Sequence, residues 1–138
     1  MGKILIIDDE PTMCQYLAVA LRKKTNMDVK ICSEYNHLDK LLELGFNAVI
    51  LDVVMPFDKH FFPDLDIEIQ DDDLEFKTGI FLFKKIRKKY PKLPIIFYTA
   101  LQESFECDGR SMMINKPNLA ENVAESINDF IKKCERLE

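Results

Sequence analysis

Short apolar runs, each closed by polar or acidic residues, alternate along the chain with segments of helical periodicity. Ile4–Ile7 stops at Asp8-Asp9, as a strand buried on both faces would. Glu10-Pro11 then opens a helix, because proline fits the first turn, and Met13, Leu17, Ala20 and Leu21 follow at helical spacing. Val29–Cys32 reads as a second strand, and Leu38, Leu41, Leu42 and Leu44 as the stripe of a helix that Gly45 ends. Ala48–Leu51 is a third strand. From Gly79 the helical pattern resumes, with Leu82, Phe83, Ile86 and Tyr90 on one face and Lys84, Lys85, Arg87, Lys88 and Lys89 largely on the other, which reads as a solvated basic face. Pro94–Tyr98 and Ser111–Ile114 are two further strands, and Leu119, Val123, Ile127 and Ile131 mark a last helix. Strands alternating with helices predict an α/β fold, a doubly wound parallel five-stranded sheet with helices on both faces.

Two stretches break this rhythm. Across 57–78, Leu65, Ile67 and Ile69 alternate with polar residues, and Leu74 and Phe76 do so again beyond Asp71-Asp72-Asp73. That pattern predicts a hairpin with an acidic turn, inserted between the third strand and the third helix. Between Thr99 and Ser111 there is little room for a full helix.

At 138 residues, positions 1–138 fit one domain, with 57–78 as its insertion. The net charge of -5 opposes binding to a phosphate backbone, so direct nucleic-acid binding is not expected. No apolar run approaches the roughly 20 residues of a membrane helix, and no membrane association is expected. Cys14, Cys32, Cys107 and Cys134 form no C-x-x-C pair, which argues against zinc and suits a reducing cytoplasm.

In open parallel sheets the binding crevice lies beyond the carboxyl ends of the strands. The first strand ends in Asp8 and Asp9, the third in Asp52, the fourth in Thr99 and the fifth in Lys116. Crowded carboxylates repel unless a cation intervenes, and an all-oxygen set favours Mg²⁺ or Mn²⁺. A phosphoryl group there would meet the metal, the Lys116 ammonium and the Thr99 hydroxyl, with Asp52 as the nucleophile. Taken singly, each residue has a plainer reading: Asp8 as a helix cap, Asp52 as a loop acid, Thr99 as a turn residue, Lys116 as a solvated charge.

The strings ILIIDDE, LDVVMP, FYTA and NKP, in that order and at strand ends, resemble the receiver family of two-component response regulators over nearly the whole chain. The resemblance implies a flavodoxin-like sheet of order 2-1-3-4-5 and a cis peptide before Pro117. It implies that Asp8, Asp9, Asp52 and the Val54 backbone carbonyl hold Mg²⁺ (or Mn²⁺). Asp52 would take phosphate from a histidine kinase or phosphotransfer protein, and Thr99 and Lys116 would sense it. The outcome would be an altered surface for a downstream protein partner, with room for a homodimer. The chain would then be no enzyme beyond self-catalysed phosphoryl acceptance and slow autodephosphorylation, the apolar Val54 and Leu101 flanking the approach of water. The alternative within the fold is a pseudo-receiver, an interaction module not controlled by phosphorylation. A phosphatase of the haloacid dehalogenase type would need an acid where Val54 stands, and a flavodoxin a glycine-rich loop where DDEPT stands.

The chain departs from the family at Met113, where an aromatic ring is usual three residues before the lysine. Within the insertion, Phe57, Phe61, Phe62 and Phe76 read as packing residues beside or over the crevice. Asp64, Asp66, Glu68, Asp72 and Glu75 fall at calcium-loop positions, but Ile69 stands where that loop needs glycine. His60 reads as a solvated surface histidine.

Overall fold

A computed structural model describes residues 2–63, 74–101 and 107–137. Its elements are β1 (Lys3–Ile7), α1 (Pro11–Thr25), β2 (Asp28–Cys32), α2 (Leu38–Leu42), β3 (Ala48–Leu51), α3 (Thr78–Lys89), β4 (Ile95–Thr99), β5 (Ser111–Asn115) and α4 (Ala120–Glu135), with short 3-10 turns at Lys59–Phe61 and Leu74–Phe76. The strands form one parallel sheet in the order β2-β1-β3-β4-β5, the flavodoxin-like arrangement expected.

Period-two alternation divides the apolar runs between two cores. Ile4, Ile6, Ala48, Ile50 and Ile96 pack under α1 and α4, while Leu5, Ile7, Val49, Leu51, Ile95 and Phe97 pack under α2 and α3. Because both faces are covered, each central strand is apolar without interruption, and it stops where the chain leaves the sheet.

The helix faces differ in detail from the sequence expectation. On α1 the buried residues are Cys14, Leu17, Ala18 and Leu21, whereas Met13 is 64% exposed. The face is turned so that the small Cys14 and Ala18, rather than Met13, lie against the sheet. Leu44 lies beyond α2 and Leu119 immediately before α4, and both are exposed because neither lies on a packed helical face. Gly45 supplies the left-handed turn (φ 83°) that returns the chain from α2 toward β3.

The expected hairpin is corrected where the insertion is described. Leu74–Phe76 is a single 3-10 turn leading into α3, not a strand, and Phe76 is exposed. The Glu75 carbonyl serves a neighbouring loop instead of a ladder, accepting from the Met55 amide (3.1 Å), and the Leu74 carbonyl accepts from the Lys77 amide within the turn (3.0 Å). The other arm of that hairpin, with Leu65, Ile67, Ile69 and most of the calcium-like positions, lies outside the described residues, as do residues 102–106 of the Thr99–Ser111 interval. Phe57, Phe61 and Phe62 do pack, in a ring cluster with Tyr35 and Phe81, and Phe57 stacks on Phe62 at 5.3 Å. His60 is exposed. Among the described residues no helix is long and apolar enough to cross a membrane.

Candidate functional site: a carboxylate cluster at the sheet edge

Parallel pairing carries the first residues beyond β1 and β3 to the same edge. The Asp8 amide donates to the Cys32 carbonyl (3.1 Å) and the Asp52 amide to the Ile7 carbonyl (3.1 Å), so the ladder extends one residue past each strand and fixes both aspartates. Asp8 is 3% and Asp52 9% exposed, while Asp9 is open to solvent. One carboxylate oxygen from each of Asp8, Asp9 and Asp52 lies within 4.8 Å of the others.

Lys116 reaches this cluster from beyond β5. Its amide donates to the Thr99 carbonyl (2.8 Å), and its Nζ donates to Asp8 Oδ2 at 2.6 Å and to Asp52 Oδ2 at 3.2 Å. Burial alone would lower the ammonium's pKa, but the Asp8 hydrogen bond and the charges of Asp52 and Asp8 outweigh it and push the value up to about 12. The Lys116-Pro117 peptide is cis. Thr99 ends β4 fully buried, with its hydroxyl accepting from the Leu101 amide at 3.2 Å. Val54 is half-buried, and its amide donates to Asp52 Oδ1 at 3.3 Å.

Asp8 does not cap α1, whose N-cap is Glu10 without a side-chain cap bond, but it joins the entrance of that helix to Lys116. Its Oδ1 accepts from the Glu10 amide at the entrance to α1 (2.9 Å), while its Oδ2 holds Lys116. Desolvation, and then the negative charge of Asp8, raise the pKa of Asp9. The same pair of causes pushes the buried Cys14 thiol up to about 12, which leaves it a neutral packing group.

Three residues that shape the site were not picked out from sequence. Gly79 donates its amide to the Val53 carbonyl at 2.9 Å, and a Cβ there would stand 2.1 Å from the Asp52 carbonyl oxygen. Only glycine allows α3 so close to the Asp52 loop. Thr78 is buried, with its hydroxyl donating to the Met55 carbonyl at 2.8 Å. Tyr35 approaches the same loop from the β2–α2 connection. A glycine opening a helical pattern was the one available sign, since a mid-sequence Thr or Tyr has no distinguishing period.

The sequence profile of the response regulator receiver domain matches residues 4–138. The chain belongs to that family. As a receiver domain it is a signalling domain, and receiver domains interact with histidine kinases and downstream effectors. No curated protein matches the chain significantly. Similar solved structures include a CheY-like response regulator receiver domain protein from Methanospirillum hungatei JF-1, 22% identical over 100% of this chain and 99% of that one, with a TM-score of 0.72. A receiver domain protein from Clostridium thermocellum is 20% identical over 100% of both chains, with a TM-score of 0.68. The response regulator TrrA from Thermotoga maritima, solved in complex with Mg(2+)-BeF, is 22% identical over 94% of this chain and 99% of that one, also with a TM-score of 0.68. At these identities the likeness establishes the fold of the receiver domain. Met113, where the family commonly has an aromatic ring, is half-buried against the α2–α3 core.

Proposed function

We propose that this receiver domain, with 57–78 as an insertion within a single domain, is a phosphoryl-accepting switch in which Asp52 is the acceptor. The observation that carries the reading is the gathering of Asp8, Asp9 and Asp52 within 4.8 Å of one another, with one ammonium bound to Asp8 and Asp52. Three carboxylates against one cation leave uncompensated negative charge, and the donors are all hard oxygens without His or Cys. That set fits Mg²⁺ or Mn²⁺.

Asp8, Asp9, Asp52 and the Val54 carbonyl would hold the ion, which supplies charge neutralisation for the phosphoryl oxygens. An Asp52 carboxylate oxygen attacks phosphorus as the bond from phosphorus to the donor breaks, and the leaving group departs with its electron pair and takes up a proton. For a histidine kinase or phosphotransfer protein that leaving group is an imidazole nitrogen. Lys116 supplies positive charge to the transferred group, exchanging part of its hold on Asp8 and Asp52 for phosphoryl oxygens. Thr99 exchanges its contact with the Leu101 amide for a hydrogen bond donated to the phosphoryl group, which moves the loop after β4. Half-buried Met113, paired with Phe97 in the sheet, transmits that motion by repacking its flexible thioether rather than by swinging a ring. The altered surface is read by a downstream protein.

The test is incubation with Mg²⁺ and acetyl phosphate, followed by intact-mass measurement. The wild type gains one phosphoryl group and Asp52→Asn gains none. Equal labelling of Asp52→Asn removes Asp52 as the acceptor, and an unlabelled wild type leaves an interaction module that phosphorylation does not control.

A further inference from the structure

A phenol that holds the loop after Asp52 takes no part in the chemistry above. Tyr35, in the β2–α2 connection, is 7% exposed. Its hydroxyl donates to the Pro56 carbonyl at 2.7 Å and accepts from the Asp58 amide at 2.7 Å. Its ring lies edge-on to Phe61 at 5.3 Å and tilted against Phe62 at 5.8 Å. Burial raises the pKa of the phenol, so the hydroxyl keeps its proton and can donate and accept together.

The chain needs such a partner at this point. Proline contributes no N–H, and the turn after Met55 belongs to neither helix nor sheet, so its polar backbone groups must be met by side chains or water. On its other side the loop is already fastened to the start of α3. The Met55 amide donates to Glu75, the Met55 carbonyl accepts from Thr78, and the Val53 carbonyl accepts from Gly79. Val53–Met55 is therefore fixed from α3, and Pro56–Asp58 from Tyr35. Val54 lies inside the first of these stretches, and the second continues the chain directly from Met55.

We infer that Tyr35 is a positioning residue for the acceptor loop: its bridge between Pro56 and Asp58 sets the shape in which Asp52 and the Val54 carbonyl meet a divalent cation, before the cation arrives. This rests on the reading of Asp52 as a phosphoacceptor beside Mg²⁺. A loop held in its bound shape loses less conformational entropy on binding, so the hydroxyl acts on metal affinity without touching the metal.

Tyr35→Phe removes the hydroxyl and keeps the ring. Calorimetric titration of the metal-free full chain with Mg²⁺ should show affinity about fivefold weaker, the scale of two neutral hydrogen bonds of which part is recovered from water. Exchange of the Asp58 amide, followed by NMR without metal, should quicken about tenfold. Phe61→Leu disturbs the same ring cluster but spares the bridge, and its Mg²⁺ affinity should stay within about twofold of the wild type. Tyr35→Phe that melts earlier yet binds Mg²⁺ as the wild type does would reduce the residue to a structural role and overturn the inference. Equal weakening by Phe61→Leu would overturn it too, by assigning the effect to the ring cluster. A wild type that binds no Mg²⁺ would sink the inference together with the phosphoacceptor reading beneath it.

Discussion

Two charge clusters stand at opposite edges of one sheet, and they are built to different rules. At the edge where β4 and β5 begin, Arg87 is saturated. Its Nε and Nη2 grip the two oxygens of Asp108 at 2.7 and 3.3 Å, and its Nη1 and Nη2 donate to the carbonyls of Tyr90, Leu93 and Arg110 at 3.0, 2.6 and 3.0 Å. One cation meets one carboxylate, and the remaining donors meet neutral carbonyls. At the edge where the strands end, Lys116 faces Asp8 and Asp52 with Asp9 beside them, and the acids are in excess. The first cluster is complete and joins α3 to the strand starts. The second lacks a counter-charge, and the stability it forgoes is what a cation would return on binding.

The sharpest way to break this contrast is to remove each cation in turn. Lys116→Met leaves Asp8 and Asp52 unopposed at a largely buried site, and should lower metal-free stability by about 3 kcal/mol in urea denaturation. Mg²⁺ should then stabilise the variant more than it stabilises the wild type. If Lys116→Met unfolds at the wild-type midpoint without metal, the acids are not in conflict and the contrast fails.

Arg87→Met should cost about 2 kcal/mol, through lost hydrogen bonds to a partly exposed carboxylate and to carbonyls, with Mg²⁺ affinity unchanged. Asp108 gives this cluster a pH signature. Burial would raise its pKa, but the Arg110 amide, the Ser111 hydroxyl and Arg87 outweigh burial and hold it below 3.8. Its contribution is thus present at neutral pH and lost as pH falls through the folded value. The stability gap between the wild type and Asp108→Asn should close on acidification below 3.8. A gap that persists there assigns the effect to packing.

Asp9 has the opposite sign. Its folded pKa is raised, so its charge opposes folding at neutral pH, and the penalty lifts as pH falls through the folded value. Asp9→Asn should therefore stabilise the metal-free protein at pH 7 while weakening Mg²⁺ roughly tenfold, since a ligand charge is lost. Thermal melts paired with metal titration separate the two effects. A variant that loses stability and keeps its affinity would take Asp9 out of the cluster.

The edge that holds the incomplete cluster was legible in the sequence for a physical reason. Strands covered on both faces are apolar until they leave the sheet, so Asp8, Asp52, Thr99 and Lys116 announce themselves by ending runs. Helix faces were less legible: the apolar residues of α1 span a wide arc, and Met13 and Cys14 compete for the core until packing selects the smaller. Leu74 and Phe76 alternate as a strand would, yet the Met55 amide that claims the Glu75 carbonyl lies far outside that short window. Tyr35 was not legible at all, and Arg87 reads from sequence as part of a solvated basic face although its side chain is only 15% exposed and its guanidinium fully bonded, because their partners lie in other loops and leave no period behind.

The smallest expected effect concerns how long a phosphorylated Asp52 would last. Water must approach phosphorus in line, opposite the Asp52 oxygen, and a polar side chain can orient it where an apolar one cannot. Val54 and Leu101, two residues beyond Asp52 and Thr99, flank this approach by family resemblance. Each donates its amide to the residue two before it, Val54 to Asp52 Oδ1 and Leu101 to Thr99 Oγ1, so the backbone at both positions is anchored to the site and side-chain changes can be read separately. Both side chains are half-buried, and Leu101 packs partly against the α2–α3 core. Val54→Asn and Leu101→Glu should each speed phosphate loss about threefold, and together about tenfold if they act independently, with Mg²⁺ affinity nearly intact. Intact-mass time courses after removal of the phosphodonor measure the decay directly. Unchanged or slower decay in all three variants would mean that Val54 and Leu101 only pack, and that the lifetime is set elsewhere.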